Sequence, residues 1–389
     1  MTFVITPEDW ASFRRCRRQW DFGSRARRNL ARPTAGPEVK RAIRDALDIY
    51  YFPGMWDWDR SVTFPLVIQG FERALAKQRE QCGASENEEP WPQQLEAGQR
   101  LLVRYMEWAP TVDRFSPVIV APEYDATVLD PAQPDLALVT PTGESVRYRG
   151  RIDMLAVDAS DTYWIVRHRA VTGDWPATEE LLDDEDAATA CWAWENFYPG
   201  MTITGVIYNE FRLAHDGASA LHSSPGAVRE TPGNAASPVR QHEPSGGGRS
   251  VPQHRRMYAA ANEPEHVERV VQYTGEGFRR TLVRRSPEEI AAAWHHLAAD
   301  ASMMITPDLA LDPVPSDVNC PPCPFRAPCQ AMFTGEDAEA IVRTTYRERP
   351  PATLEDDRLG GGLWGGRGAA LPGFGGPQPP GQRDASRGH

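Results

Sequence analysis

Three cysteines in the C-terminal part of the chain have the spacing of metal ligands. Cys320, Cys323 and Cys329 form a C-x2-C-x5-C pattern, in which a proline follows each of the first two cysteines and another precedes the third. The prolines predict a stiff loop that is neither helix nor central strand. Such a loop can present three thiolates to a soft metal, and the spacing alone leaves zinc and an iron–sulfur cluster open. A fourth ligand has to come from another part of the chain.

Cys16 is the candidate for that fourth ligand. The sequence Thr-Pro-Glu-Asp at positions 6–9 begins a predicted helix that runs to about Phe22, since threonine caps a helix, proline suits its first turn and acids favour its N-terminus. Aromatic residues recur along it at helical spacing and predict a buried face, near which Cys16 lies. A remote metal ligand and an inert buried cysteine both fit this position.

Basic residues are concentrated in the N-terminal part of the chain. The formal net charge is −12, yet residues 1–45 hold eleven Lys or Arg and five Asp or Glu, which is +6 and leaves −18 for the rest. A basic segment on an acidic body can face a polyanion. Arginines on a solvated helix face explain the charge equally well, so charge alone leaves both interpretations open.

The remaining pattern predicts a mixed α/β core with a crossover helix. Helical spacing predicts three further helices, at residues 38–51, 66–82 and 93–108. Alternation then predicts three strands, at 117–129, 145–158 and 162–170. A helix at 179–197 and a strand at 201–213 follow, which makes the order helix, three strands, helix, strand. A strand-like stretch at 267–283 and a helix at 287–304 precede the cysteine loop.

Two segments have the composition of disordered chain. Gly, Pro and Ser fill 17 of the 42 positions in 215–256, and 351–389 is rich in Gly and Pro. We therefore expect N-terminal helices and an α/β core over 1–214, an insert at 215–256, completion of the core with the cysteine cluster over 257–350, and a tail at 351–389. One elaborated domain then remains.

The chain has no apolar run near the length of about 18 residues that spans a bilayer. Its first residues lack a basic flank followed by an apolar stretch. We therefore expect a cytoplasmic protein that has no membrane partner.

Two adjacent predicted strands carry a motif. Gly150-Arg-Ile-Asp153 lies on one, and Tyr163-Trp-Ile-Val166 begins the next. Together with Cys16 and the C-x2-C-x5-C pattern, this sequence resembles the RecB-like branch of the PD-(D/E)XK nucleases. More narrowly, it resembles the members that carry an iron–sulfur cluster, such as the CRISPR-associated RecB-like exonucleases. Those proteins take one cluster ligand from near the N-terminus and three from near the C-terminus.

The resemblance spans roughly residues 2–332 and implies a restriction-endonuclease-like α/β core of order α-β-β-β-α-β with added helices. It also implies a 4Fe-4S cluster that joins the N- and C-terminal parts, with zinc as the alternative. The implied ligands are Cys16, Cys320, Cys323 and Cys329. The chemistry of the family is phosphodiester hydrolysis by Mg²⁺ or Mn²⁺ ions, which acidic residues hold and which activate water.

The active-site pattern of the family is degenerate in this chain. Asp153 matches the motif aspartate, whereas the acid and the lysine expected on the next strand fall at Arg167 and Arg169. The histidine of an early helix falls at Lys40. An arginine neither ligates a cation nor deprotonates to act as a base. Glu123, on the first predicted strand, is the weaker second candidate for a catalytic carboxylate.

The arginines predict a site for phosphate rather than for magnesium, because guanidinium groups match phosphate oxygens. The candidate phosphate-binding residues are Lys40, Arg167, Arg169, Arg14 and Arg18. The expected protein binds DNA, as ends or single strands, and cuts it weakly or not at all, with Mg²⁺ or Mn²⁺ needed only for cutting. The alternative is a non-catalytic scaffold or subunit of a DNA-processing complex, with a protein partner.

Overall fold

A computed structural model describes residues 2–32, 36–82, 90–213 and 268–349. In these ranges helices cover a six-stranded mixed sheet, which makes the protein mixed α/β. The predicted insert at 215–256 and the predicted tail at 351–389 lie outside the described residues. No helix in the described ranges combines the length and the apolar character that crossing a membrane requires.

The helices and strands alternate irregularly along the chain. The described helices are Pro7–Arg15 (α1), Arg17–Gly23 (α2), Val39–Tyr50 (α3), Arg60–Cys82 (α4), Pro90–Val112 (α5), Thr178–Leu182 (α6), Glu185–Phe197 (α7), Pro287–Met304 (α8), Arg326–Thr334 (α9) and Ala338–Thr345 (α10). The described strands are Thr2–Ile5 (β1), Leu30–Ala31 (β2), Phe115–Val120 (β3), Glu123–Thr127 (β4), Leu129–Asp130 (β5), Gln133–Ala137 (β6), Ser145–Arg151 (β7), Met154–Asp158 (β8), Tyr163–Val171 (β9), Ile203–Arg212 (β10), Val270–Gly275 (β11), Phe278–Arg284 (β12) and Arg347–Glu348 (β13).

The six-stranded sheet has the order β11-β12-β10-β9-β8-β3. Strand β8 pairs antiparallel with β3 on one side and with β9 on the other. After β9 the chain passes through α6 and α7 to β10, which runs parallel to β9. The hairpin of β11 and β12 extends the sheet beyond β10. The predicted mixed α/β class and the predicted crossover helix are confirmed. Four further strands, β4 to β7, lie between β3 and β8 in the chain and belong to smaller sheets, so the predicted order of three consecutive strands is not reproduced.

Three predicted strands are divided by turns. Residues 117–129 belong to β3, β4 and β5, because Ala121 has a positive φ of 51° and Pro122 follows it. Residues 145–158 divide at Ile152 and Asp153 into β7 and β8, which belong to different sheets. Residues 267–283 contain a hairpin that turns at Gly277, whose φ is 82°. Alternation continues across each turn, so it does not show where a strand leaves its sheet.

The first predicted helix is interrupted at Cys16. Helix α1 ends at Arg15 and α2 begins at Arg17, while Cys16 between them has an extended backbone with φ −166° and ψ 115°. Thr6 caps α1 as predicted, and the backbone N–H of Thr6 donates to the Asp9 carboxylate at 3.1 Å. The apolar spacing continues through the interruption, which is why periodicity predicts a single helix.

The two faces of the six-stranded sheet bury two separate hydrophobic cores. One core includes Leu155 and Ile165 and packs against α1, α7 and α8. The other includes Met154 and Val166 and packs against α3, α4 and α5. Alternate residues of β8 and β9 therefore serve different cores, as the pleat of a strand requires. It follows that Arg167 and Arg169 lie on the α7 face of β9, with His168 opposite.

A third, small core joins the first and last described segments. It consists of Phe22, Phe325, Val342 and Tyr346, with a few partly buried neighbours. Strand β2 pairs with β13 beside it. So few apolar side chains stabilise a fold weakly unless a disulfide or a metal adds to them.

Gly150, the motif glycine, is packed against the ring of Tyr124. A Cβ at Gly150 would lie 2.3 Å from the Tyr124 hydroxyl oxygen and 3.0 Å from Cγ of Pro7, and the Tyr124 side chain is buried. We expect Gly150→Ala to lower the free energy of unfolding by about 1–3 kcal/mol, the cost of overpacking a core. Urea denaturation measures this change. Gly36→Ala is the control, since a Cβ at Gly36 would meet no heavy atom within 4 Å, and equal losses in both variants would contradict the packing explanation.

Candidate functional site

A polar cavity of about 480 Å³ lies between β9 and the amino end of α7. Its lining residues are Arg14, Arg167, Arg169, Glu180, Asp183, Asp184, Glu185 and Asp186. The fold thus brings together three of the five candidate phosphate-binding residues. The five carboxylates outnumber the three guanidinium groups, so the lining is negative overall. These acids were not predicted, although four of them are consecutive in the sequence.

Two of the three arginines are held by acids of the lining. Nη1 of Arg167 lies 3.3 Å from both carboxylate oxygens of Asp184, which also caps α7. Burial lowers the pKa of Arg167, but Asp184 and further acidic groups outweigh this and raise the pKa above its ordinary value. Arg14 forms an ion pair with Glu185. Both arginines therefore contribute to the fold as well as to the cavity.

Arg169 is the arginine of the cavity that has no ion pair within the described chain. Its guanidinium lies 5.5 Å from the ring centroid of Tyr208. An arginine without a carboxylate partner keeps its donors for a ligand. Arg169 is therefore the candidate phosphate ligand that the geometry favours.

Asp153 is largely buried at the junction of β7 and β8, outside the lining of the cavity. Its Oδ2 accepts from the backbone N–H of His168 at 2.6 Å, and its Oδ1 lies 3.4 Å from Nε of Arg44 on α3. Both oxygens of the motif carboxylate therefore have a protein partner. A structural role for Asp153, as a strand carboxylate paired with an arginine, fits these contacts.

Asp48 on α3 is a second acid beside Asp153. Its Oδ1 is buried and has no hydrogen-bond partner among the described residues. Burial raises the pKa of Asp48 well above its usual range; Arg151 opposes this rise and Asp153 adds to it. Asp48 was not predicted as a site residue, although Asp45 and Asp48 stand one turn apart on a predicted helix.

The other candidate residues lie outside the cavity. Glu123 begins β4, in the three-stranded sheet, where its register partner is Arg151. Lys40 is exposed in the first turn of α3. Nε of Arg18 donates to the carbonyl of Leu311 at 3.1 Å, so Arg18 ties α2 to the segment that leads into the cysteine loop.

A buried polar network occupies the opposite face of β9. Nη2 of Arg280 donates to the hydroxyls of Tyr51 and Tyr105, each at 2.9 Å, and to Oδ1 of Asn209 at 3.1 Å. Nδ2 of Asn209 lies 2.8 Å from Nδ1 of His168. Burial lowers the pKa of His168 to about 4, so this imidazole is neutral at pH 7. The network ties the end of α3 and helix α5 to the sheet.

The interruption at Cys16 faces the C-terminal loop. The backbone N–H of Val314 donates to Sγ of Cys16 at 3.5 Å, and that of Ser316 donates to Sγ of Cys320 at 3.4 Å. Backbone N–H groups that point at sulfur stabilise thiolates. One segment of the loop therefore contacts both the remote cysteine and the first cysteine of the C-x2-C-x5-C pattern.

Two of the four candidate ligands have raised thiol pKa values. Burial raises the pKa of Cys329, Arg18 opposes this, and the thiols of Cys16, Cys323 and Cys320 add to the rise. Cys323 likewise has a raised pKa, chiefly through burial. Cys16 and Cys320, which are 304 residues apart in the chain, both contact the segment 314–316.

Cys329 lies within α9, where the proline spacing predicts a loop. Pro328 falls in the first turn of that helix, where an amide N–H has no partner inside the helix, so proline is tolerated. The prediction of a non-helical segment is correct for Cys320 and Cys323 and wrong for Cys329.

By donor type, four cysteines fit either an iron–sulfur cluster or zinc. In the part of the chain that the structure describes, no three His, Cys, Asp or Glu side chains form a group that could hold a metal ion. A tetrahedral zinc site has Zn–S bonds of about 2.3 Å, which places its sulfurs about 3.8 Å apart. The thiols would therefore have to approach one another to bind a single zinc ion.

The fold and these sites define a mixed α/β protein with an arginine- and acid-lined cavity and a C-terminal segment that contacts both Cys16 and Cys320. Comparisons with protein-family models and with curated protein sequences find no match to this chain. The resemblance to the RecB-like nucleases therefore rests on the residues named above.

Proposed function

We propose that this chain is a RecB-like protein of the PD-(D/E)XK fold that binds DNA and does not hydrolyse it. The observation that carries the proposal is the pair Arg167 and Arg169, which line the cavity from the strand where a nuclease of this branch has its acid and lysine. The order of α3, the antiparallel strands β3, β8 and β9, then α7 and β10 supports the fold.

The contacts of Asp153, the motif carboxylate, and of Asp184 argue against hydrolysis at these two residues. Metal-assisted hydrolysis needs acidic side chains that are free to hold the ion. Asp153 is engaged by the His168 N–H and by Arg44, and Asp184 is engaged by Arg167. Phosphate binding needs only guanidinium donors, which Arg169 offers. Arginines in place of the acid and the lysine therefore leave phosphate binding possible while they prevent hydrolysis.

We assign Cys16, Cys320, Cys323 and Cys329 to a 4Fe-4S cluster, with zinc as the alternative. The bound group would cross-link the junction of α1 and α2 to the C-terminal loop and α9. The small third core beside it supports this assignment, because that core needs a further link. The cluster would thus stabilise the fold.

The test of the proposed function is binding of fluorescent oligonucleotides by the anaerobically purified protein, with single-stranded, duplex and overhang DNA at several salt concentrations. We expect an affinity that falls as the salt concentration rises, and no cleavage with Mg²⁺ or Mn²⁺. The slope of log K against log salt concentration should be smaller by about 1 in Arg169→Gln, as for one lost phosphate contact. Arg269→Gln is the control, since Arg269 pairs with Glu289 elsewhere. DNA degradation that Asp153→Ala abolishes would overturn the proposal.

A non-catalytic scaffold is the second candidate function. The observation that favours it is the excess of carboxylates over guanidinium groups in the cavity, which opposes an anionic ligand. Absence of salt-sensitive affinity for any nucleic acid would support the scaffold and reject DNA binding.

A further inference from the structure

Trp175 is a tryptophan that the hydrophobic cores do not use. Of the described tryptophans, Trp175 and Trp58 are the two that belong to neither core on the sheet faces. The Arg212 guanidinium lies 4.4 Å from a Trp175 ring centroid, and that of Arg279 lies 5.3 Å from it. The indole of Trp175 therefore contacts cations, which is the setting of an aromatic group that stacks on nucleic-acid bases.

A row of side chains connects Trp175 to the cavity. Arg169 on β9 is in register with Glu210 on β10, which is in register with Arg279 on β12. Register partners on adjacent strands share a face, and Arg212, two residues after Glu210, shares it too. Because Arg169 also lines the cavity, the cavity and the Trp175 site lie along one face of the sheet.

The charge of this row is positive. Glu210 is fully buried and pairs with Arg279 at 2.6 Å, which neutralises one arginine. Arg169 and Arg212 have no ion pair among the described residues. Nε of Arg212 and Nη2 of Arg279 are buried N–H groups without a hydrogen-bond partner there. These two donors are therefore unpaired, whereas Nε and Nη1 of Arg279 donate to Glu210 and to the Pro176 carbonyl.

We propose that Trp175 stacks on a base of single-stranded nucleic acid, with Arg169 and Arg212 on the adjacent phosphates. This inference rests on the DNA binding proposed above and assigns where a single strand lies. A duplex hides the faces of its bases, so stacking on the indole selects single strands and tolerates any base. The probe is therefore an oligothymidylate without a defined sequence.

The experiment compares binding of fluorescein-labelled (dT)20 by the wild-type protein and by Trp175→Ala. We expect about 10- to 100-fold weaker binding by Trp175→Ala, and binding by Trp175→Phe that stays nearer to wild type, because phenylalanine still offers a ring. Trp58→Ala is the matched control. Trp58 is 48% exposed but lies between Asp57 and Asp59, and we expect its loss to leave the affinity unchanged.

Photocrosslinking of an oligonucleotide that carries 5-iodouracil gives a readout that does not depend on the folding of a variant. The expected crosslink in the wild-type protein is at Trp175. Unchanged affinity of Trp175→Ala, or a crosslink elsewhere, would overturn the stacking site while leaving DNA binding intact. No binding by the wild-type protein would overturn both proposals. A parallel titration with (rU)20 identifies whether DNA or RNA is the preferred strand.

Discussion

Replacement of Arg280 by methionine lowers the free energy of unfolding by about 3–5 kcal/mol, the cost of leaving a buried charge without its partner. Arg280 on β12 is fully buried and forms an ion pair with Asp113, whose side chain is 4% exposed. Methionine has a similar length but offers no donor to Asp113 or to the hydroxyls of Tyr51 and Tyr105. Unfolding in guanidinium chloride at pH 7, followed by tryptophan fluorescence, measures the loss.

Two further variants isolate the buried pair. Arg269→Met removes an exposed arginine that pairs with Glu289, and we expect a loss of about 1 kcal/mol or less. The double variant Arg280→Met with Asp113→Leu recovers much of the stability, because it leaves no unpaired charge. A loss in Arg280→Met as small as that in Arg269→Met would show that the network contributes little.

Replacement of Cys323 by serine tests the metal group proposed above, whose loss would loosen one end of the molecule. Because metal binding and folding are coupled, we expect the variant to lose most of its bound iron, and with it the brown colour that dithionite bleaches in the wild-type protein. Amide hydrogen exchange in residues 313–349 and in α2 then increases, whereas β9, β10 and β12, which belong to the large sheet, keep their protection. Metal analysis and exchange mass spectrometry measure the two effects.

Cys82→Ser is the control for this substitution. Cys82 ends α4 and packs beside the core of α3, α4 and α5, so its loss leaves the metal content unchanged. A colourless wild-type protein with one bound zinc would reject the cluster and keep the four ligands. Unchanged metal content in Cys323→Ser would reject the ligand set itself.

Most of the secondary structure was predictable because its signals are local. Thr6 caps α1, and Ser286 caps the helix Pro287–Met304. Both caps are predictable because they depend on hydrogen bonds between residues three positions apart. The division of 145–158 between two sheets was not predictable, because β7 and β8 keep the same alternation while they pair with different strands. The extended backbone of Cys16 was not predictable either, because the apolar spacing continues through this residue without a change.

The candidate site was predictable in part. Residue types identified Arg167 and Arg169 as the positions where a nuclease motif fails, and strand alternation placed both on one face. The acids that hold Arg167 and Arg14 come from the start of α7, and how close they lie depends on the crossover that brings α7 over β9. The stacking of Trp175 on Arg212 and Arg279 likewise requires three separate segments to meet.

By itself, the sequence determined the mixed α/β class, most of the long helices, and a set of cysteines with the chemistry of metal ligands. These properties depend on residue types and on periods within one segment. Only the tertiary structure decided that one segment contacts both Cys16 and Cys320, that acids outnumber arginines in the cavity, and that Asp153 is engaged by Arg44. The physical reason is that the periodicity of apolar residues sets which face of its own helix or strand a side chain lies on. Distances between helices and strands depend instead on strand register, on the crossover and on packing.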